Sequence, residues 1–182
     1  MSTPLIRAAH ADDIPRILEI YSYYITDTII TFEETLPSLK EMTQRFHEIE
    51  KLNMPYLVAA IDGRVQGYAY GGVFRTRVAY RYSVEHSIYL DKDAKGAGLG
   101  SLLMEELLKD LEQRDIRQVV AVIGDSQNRA SIALHKKFGF THQGTLPNTG
   151  YKFNRWIDTV LMQKELGDGE STQPQKPGLN LG

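Results

Sequence analysis

Residues 95 to 100 read Lys95-Gly96-Ala97-Gly98-Leu99-Gly100, directly ahead of a leucine-rich segment. Successive backbone N–H groups in such a turn form an anion-binding concavity, and a helix N-terminus behind it adds free donors and partial positive charge. Glycine is required where a side chain would block a phosphate. A pyrophosphate-bearing ligand is the natural occupant, although three glycines ahead of a helix can equally form a simple tight turn. The dinucleotide fingerprint G-x-G-x-x-G fails, because counting from Gly96 or Gly98 its last position is Ser101 or Leu103. A Walker loop fails as well, since Gly100 is followed by Ser101 and Leu102.

Three other groups could do chemistry. Glu85 stands in the stretch from Ala79 to Leu90, which is otherwise rich in β-branched and aromatic residues. In a strand, Glu85, Ser87 and Tyr89 share one face, while Val84, His86, Ile88 and Leu90 share the other. A carboxylate there is either a solvated strand-face charge or a proton acceptor. Farther on, Asn128, Ser131 and His135 fall in one helix stripe and can face one ligand. His135 is open as a proton donor or as a structural contact. Arg75 and Arg77 fall nominally on one strand face with Arg81 and Glu85. An arginine fork suits a carboxylate, with solvated loop charges as the alternative. His10, His47, His86 and His142 show no ligand spacing, so no metal is expected.

The elements that must position these groups are legible as patterns. Residues 5–9 read as an opening strand. Ile14, Ile17, Leu18 and Tyr21 form a helical stripe behind Asp12 and Pro15. Thr28 to Glu34 reads as a β-branched stretch ending in a loop, and a second helix after Pro37 carries Leu39, Met42, Phe46 and Ile49. Two strands from Tyr56 are joined at Asp62-Gly63, a hairpin turn signal. The long strand Ala79–Leu90 leads into the glycine loop and its helix. Residues 117–123 read as a strand buried on both faces. A helix from Asn128 to Phe138 stops at Gly139, and strands near 140–146 and 156–164 close the domain. The expected fold class is α/β, a mixed sheet with helices on both faces. Beyond Leu166 the chain turns polar and rich in Gly and Pro, which predicts a domain over 1–166 and a disordered tail over 167–182.

Composition narrows the function. With 182 residues, 42% hydrophobic and 24% charged, the chain is long enough for one well-buried core. Its 21 basic and 23 acidic residues leave no basic footprint for nucleic acid. There is no cysteine, which excludes disulfides, thiolate metal sites and an acyl-cysteine intermediate. No stretch reaches a membrane span, and the first residues do not read as a signal peptide, so a cytoplasmic location is expected.

Taken together the motifs resemble the GNAT superfamily of N-acetyltransferases. Lys95-x-x-Gly98-x-Gly100 is similar to its pyrophosphate loop, with Lys at the usual Gln or Arg position. Arg77-Val78-Ala79-Tyr80 followed by Val84-Glu85-His86-Ser87-Ile88-Tyr89 resembles the phosphinothricin acetyltransferase-like branch. So do Ala121–Gly124, Asn128-x-x-Ser131-x-x-Leu134-His135 with Gly139-Phe140, and Gly150-Tyr151-Lys152 with Trp156-Ile157-Asp158. The motifs run in order over roughly residues 5–165.

The resemblance implies an acetyl-CoA-dependent N-acetyltransferase of the GNAT fold, acting by direct transfer on a small amino-acid-like amine such as phosphinothricin or methionine sulfoximine or sulfone. It implies Glu85 as general base and His135 as a candidate acid for the thiolate. Ile88, Tyr89 and Leu90 would hold the pantetheine arm. Lys95, Gly96, Ala97, Gly98, Leu99 and Gly100, with Asn128 and Ser131, would contact the cofactor. Phe32, Glu33, Arg75 and Arg77 would face the acceptor. A homodimer is implied too. A peptide or protein N-acetyltransferase and a non-catalytic acyl-CoA binder stand as alternatives; a base at Glu85 argues against the binder, and arginines suited to a small carboxylate argue against the peptide.

Overall fold

The structure, a computed structural model, describes residues 3–94 and 96–181. Seven strands form one sheet, β1 (Leu5–Ala8), β2 (Tyr56–Ile61), β3 (Arg64–Val73), β4 (Ser83–Leu90), β5 (Gln118–Gly124), β6 (Thr141–Lys152) and β7 (Arg155–Glu165). Four helices accompany them, α1 (Ile14–Thr26), α2 (Leu39–Lys51), α3 (Leu99–Gln113) and α4 (Arg129–Lys137). The strand order is β1-β2-β3-β4-β5-β7-β6.

Strand alternation splits the core in two. On β2, Leu57 and Ala59 join the cluster built on Leu99, Leu103, Leu107 and Leu111 of α3. Tyr56 and Val58 join the opposite cluster, with Ile14, Ile17 and Ile20 of α1 and Phe46 of α2. The sheet thus carries helices on both faces, as the patterns imply. α2 starts on a reciprocal cap: the Glu41 amide donates to the Ser38 hydroxyl, and the Glu41 carboxylate accepts from the Ser38 amide.

Every strand pair but one is antiparallel. β4 and β5 run parallel, and their pairing stops early, covering only Ser83–Glu85 against Gln118–Val120. Past that point β4 continues beside β3 and β5 continues beside β7. The two central strands therefore splay apart, opening a wedge in the middle of the sheet that no side-chain pattern announces.

Two expectations are corrected. The strand predicted from Ala79 begins only at Ser83, because Val78–Tyr80 closes a 3-10 turn in which Tyr80 N–H donates to Arg77 O and Arg81 N–H to Val78 O. The segment after Leu166, expected to be disordered, packs along the base of β5 as far as residue 181. The Arg117 guanidinium donates to Gly169 O at 3.2 Å and to Thr172 Oγ1 at 3.0 Å, and the Lys176 amide to Asp115 Oδ2 at 2.9 Å. Leu179 N–H donates to Arg81 O, and its side chain is 3% exposed within the α3-side core. Composition averages over this one well-placed leucine and its charged anchors, which is why it misled.

Candidate functional site

At the fork where β4 leaves β5 stands Glu85, the last residue of β4 that pairs with β5. It lines a cavity of about 190 Å³ between the diverging strands, together with Ser87, Ile88, Tyr89, Val122 and Phe32. Burial pushes the Glu85 carboxyl above its ordinary range, and the positive charge of Arg75 pulls the other way. A carboxylate made reluctant to stay ionised is a better proton acceptor than a solvated one. Tyr70 of β3 lies directly across the β3–β4 pairing from Ser87.

The glycine loop follows the open end of β4. Gly96 and Gly98 hold φ values of +85° and +78°, the left-handed region where a Cβ is strained. Gly98 is the N-cap of α3, and a Cβ at Gly96 or Gly98 would meet nothing within 4 Å. In the first turn of α3 the Ser101 amide donates to Gly98 O at 3.0 Å, and the amides ahead of it have no carbonyl of the helix to accept from them. The loop thus offers open space in front of backbone donors, which fits a pyrophosphate. Ala97 lies in that turn; Leu99 and Gly100 are buried as they begin α3. Lys95 lies outside the described residues.

Of the three β4 residues expected to hold the pantetheine, Ile88 and Tyr89 line the cavity and Leu90 does not. The Tyr24 hydroxyl donates to Leu90 O at 2.7 Å and accepts from Leu90 N–H at 3.3 Å. Asn128 and Ser131 both line the cavity, and Asn128 caps α4, its Oδ1 accepting from Ser131 N–H at 3.2 Å.

His135 reaches the same cavity, and both of its ring nitrogens find partners inside the protein. Its Nδ1–H donates to the Ser131 carbonyl at 2.7 Å, so its Nε2 carries a lone pair. That lone pair accepts from Nε2–H of His86 at 2.9 Å. Burial lowers the pKa of both rings, His86 to about 3. With both nitrogens of His135 hydrogen-bonded inside the protein, the geometry favours the structural contact over an acid for the thiolate, of the two readings open for this residue. His86, passed over for want of metal spacing, is its partner. Period-2 alternation puts His86 on the face opposite Glu85, toward α4, and that is the signal that could have paired them.

On the acceptor side, Phe32 is 41% exposed and lines the cavity. Glu33 turns away, its Oε1 accepting from Arg45 of α2 at 2.7 Å. Arg75 and Arg77 are exposed, in the segment before the 3-10 turn and not on a strand. The nominal shared face with Glu85 is lost there. Of the two, only Arg75 acts electrostatically on Glu85. Among the described residues no group of three or more His, Asp or Glu could hold a metal ion, and no helix is long and apolar enough to cross a membrane.

A wedge between parallel strands, a glycine loop at its open end and a half-buried carboxylate at its fork suit an acyltransferase that uses a coenzyme A thioester. Residues 6–161 match the acetyltransferase (GNAT) domain. A phosphinothricin N-acetyltransferase of Alcaligenes faecalis is 42% identical over 170 residues, 93% of this chain and 86% of that protein. An L-methionine sulfoximine/L-methionine sulfone acetyltransferase of Pseudomonas aeruginosa is 38% identical, over 88% of this chain and 94% of its own. The crystal structure of a phosphinothricin acetyltransferase from Sinorhizobium meliloti in complex with AcCoA superposes with a TM-score of 0.93 at 44% identity, covering 97% of this chain and 95% of that one. The chain belongs to the GNAT acetyltransferase family. It is an acetyl-CoA-dependent N-acetyltransferase.

Proposed function

We propose that this enzyme acetylates the primary amine of a small amino-acid-like acceptor, of the class of phosphinothricin, methionine sulfoximine or sulfone, or a related amino acid. The observation that carries the reading is Glu85 at the fork of β4 and β5, with its carboxyl raised by burial and facing one cavity with Phe32. The names of the relatives support the acceptor class.

An amine of lysine-like basicity, near pKa 10.4, is mostly ammonium at neutral pH, and only its free base attacks an acyl carbon. Glu85 takes the proton that the ammonium must lose, directly or through water. Acetyl-CoA supplies the thioester: in a ternary complex the free amine adds to its carbonyl carbon, the nitrogen gives up its second proton to water, and the C–S bond breaks as the amide forms. Direct transfer agrees with a chain that has no cysteine to carry the acyl group. The backbone of β4 past Glu85, unpaired on its β5 side, supplies the donors for the pantetheine arm and the developing oxyanion. A thiolate, whose acid has a pKa near 8.5, departs without a protein acid, which suits a neutral His135. The backbone of residues 96–100 takes the pyrophosphate.

The second part of the reading is assembly as a homodimer. Tyr151, Phe153 and Trp156 at the tip of the β6–β7 hairpin are 54%, 54% and 63% exposed. Tyr151 and Trp156 pack edge to face at 5.0 Å. Aromatics held out in this way are characteristic of interface cores.

The deciding experiment is a screen of amino acids and their decarboxylated amines for release of free thiol from acetyl-CoA. The reading expects turnover with amino acids of the named class. Turnover confined to peptides would replace it with a peptide acetyltransferase, and thiol release independent of any amine would replace it with a thioesterase.

A further inference from the structure

Three consecutive residues of the loop between α1 and α2 each meet a different feature of the β5–β6 floor. Beneath Ile30 lies Gly124, the last residue of β5, where a Cβ would stand 2.7 Å from the Ile30 carbonyl oxygen. Beneath Phe32 lies Gly150 of β6, where a Cβ would stand 2.6 Å from the ring. Between them comes Lys152, on the same face of β6 as Gly150 and only 1% exposed. Its Nζ donates to Thr31 O at 2.9 Å and lies 3.5 Å from Tyr24 O.

Each feature is costly away from this context. A buried ammonium loses its hydration, and its hydrogen bonds here go to carbonyls instead of a carboxylate. Glycine weakens the interior of a strand. All three converge under Ile30, Thr31 and Phe32, which line the cavity that holds Glu85. Lys152 does not line the cavity itself. Its contacts join the floor to two neighbouring points of the chain: Tyr24 in the last turn of α1, where the helix dipole favours a cation, and Thr31 in the loop that follows.

We propose that Lys152 is a positioning residue for the acceptor: with Gly124 and Gly150 it fixes the Ile30–Phe32 wall at the place where an amino-acid-sized amine meets Glu85. The inference rests on the reading of this cavity as the acceptor site. The loop is then a fixed wall instead of a lid, and acceptor size is set from beneath by two missing side chains and one buried charge.

Lys152→Met keeps the length of the side chain and removes its donors. Amide hydrogen exchange across residues 29–34 should accelerate about tenfold or more, with α3 and the glycine loop unchanged. The KM for the amine should rise about tenfold, since misplacing a positioning element by about 1 Å can cost up to ~100-fold. The Kd for coenzyme A should stay within about twofold of wild type, a split that general loosening of the fold would not give. Gly150→Ala should raise the amine KM as well, but not in a Phe32→Leu background, where the ring that the new Cβ would strike is gone. Unchanged exchange over 29–34 in Lys152→Met, or an equal effect of Gly150→Ala in both backgrounds, would overturn the proposal. A wild type that acetylates no amine would strike at the acceptor reading instead, and hydrogen exchange would still decide the clamp.

Discussion

His86 on β4 and His135 on α4 share a single proton across the 2.9 Å between their Nε2 atoms. The Ser131 carbonyl holds the other nitrogen of His135, which leaves Nδ1 of His86 buried without a partner. Protonating either ring would put a charge beside the other inside the core.

Acid sensitivity follows. A solvated histidine titrates near pH 6.5, whereas burial and the neighbouring ring lower His86 to about 3, and burial lowers His135. The folded state thus binds fewer protons than the unfolded chain within this window. The stability tied to these rings is complete above about pH 6.5 and is lost progressively as the pH falls toward 3. Melting temperature measured between pH 7 and 5, above most carboxylate titrations, should fall in wild type and fall less in His86→Leu. His135→Gln should keep kcat within about tenfold of wild type, because no proton transfer is removed. A loss of ~1000-fold with intact coenzyme A binding would restore the acid role.

Glu85 has the opposite stability signature. Its folded pKa is raised, so its contribution is favourable below the ordinary carboxylate range and is lost as pH rises through the folded value. At neutral pH the ionised side chain is a cost to the fold. Glu85→Gln should therefore melt higher than wild type at pH 7, while kcat falls by roughly 10²–10⁴ and the acidic limb of the pH–rate profile disappears. A mutant that loses activity without gaining stability would indicate a carboxylate engaged by partners instead of one held in reserve.

Glu85, the glycine loop and the Asn128–Ser131–His135 stripe were legible in the sequence because each follows a local rule: strand alternation, positive φ before a helix, helical spacing. The same rules put the helices on the correct faces. What escaped is non-local. The early end of β4–β5 pairing leaves no mark in either strand, so the wedge could be inferred only through resemblance. The pairing of His86 with His135 spans two elements, so neither strand alternation nor helical spacing alone shows it. Arg75 and Arg77 were placed nominally on the Glu85 face by a strand register that the Val78–Tyr80 turn abolishes. Lys152 read as part of a motif, with nothing local to show that its charge is buried.

Gly98 separates backbone strain from cofactor binding. Its φ of +78° makes any side chain unfavourable, yet a Cβ there meets nothing within 4 Å in the free protein. Gly98→Ala should destabilise the fold by about 1 kcal/mol, the usual cost of a left-handed non-glycine residue. Gly98→Asp should add a sharp rise in the KM for acetyl-CoA, because its charge opposes the pyrophosphate. Thermal shift with coenzyme A reads this directly: wild type should be stabilised by the ligand and the Asp variant hardly at all.

The hairpin tip makes the assembly testable. Trp156→Lys places a charge in the proposed contact without touching the core, since the side chain is already 63% exposed. Light scattering at micromolar concentration should give twice the formula mass for wild type and the formula mass for the variant, with equal far-ultraviolet circular dichroism. A wild-type monomer would leave the three aromatics without a partner and remove the dimer.

Arg75 is the arginine whose charge reaches the base. It lowers the Glu85 pKa while burial raises it, and it is exposed in the segment after β3, free to meet an acceptor carboxylate with a planar fork of donors. Two consequences separate this role from that of a bystander. Arg75→Ala should shift the acidic limb of kcat/KM to higher pH, because the opposing burial is left alone to act on Glu85. It should also erase most of the preference for an amino acid over its decarboxylated amine, a loss of roughly 30-fold or more if the arginine and the carboxylate form a desolvated pair worth about 2–5 kcal/mol. Arg77→Ala, at the N-cap of the 3-10 turn, serves as the comparison and should change neither quantity as much. A shifted limb with unchanged preference would confine Arg75 to tuning the base. Lost preference in Arg77→Ala alone would return the carboxylate to the arginine that opens the sequence motif.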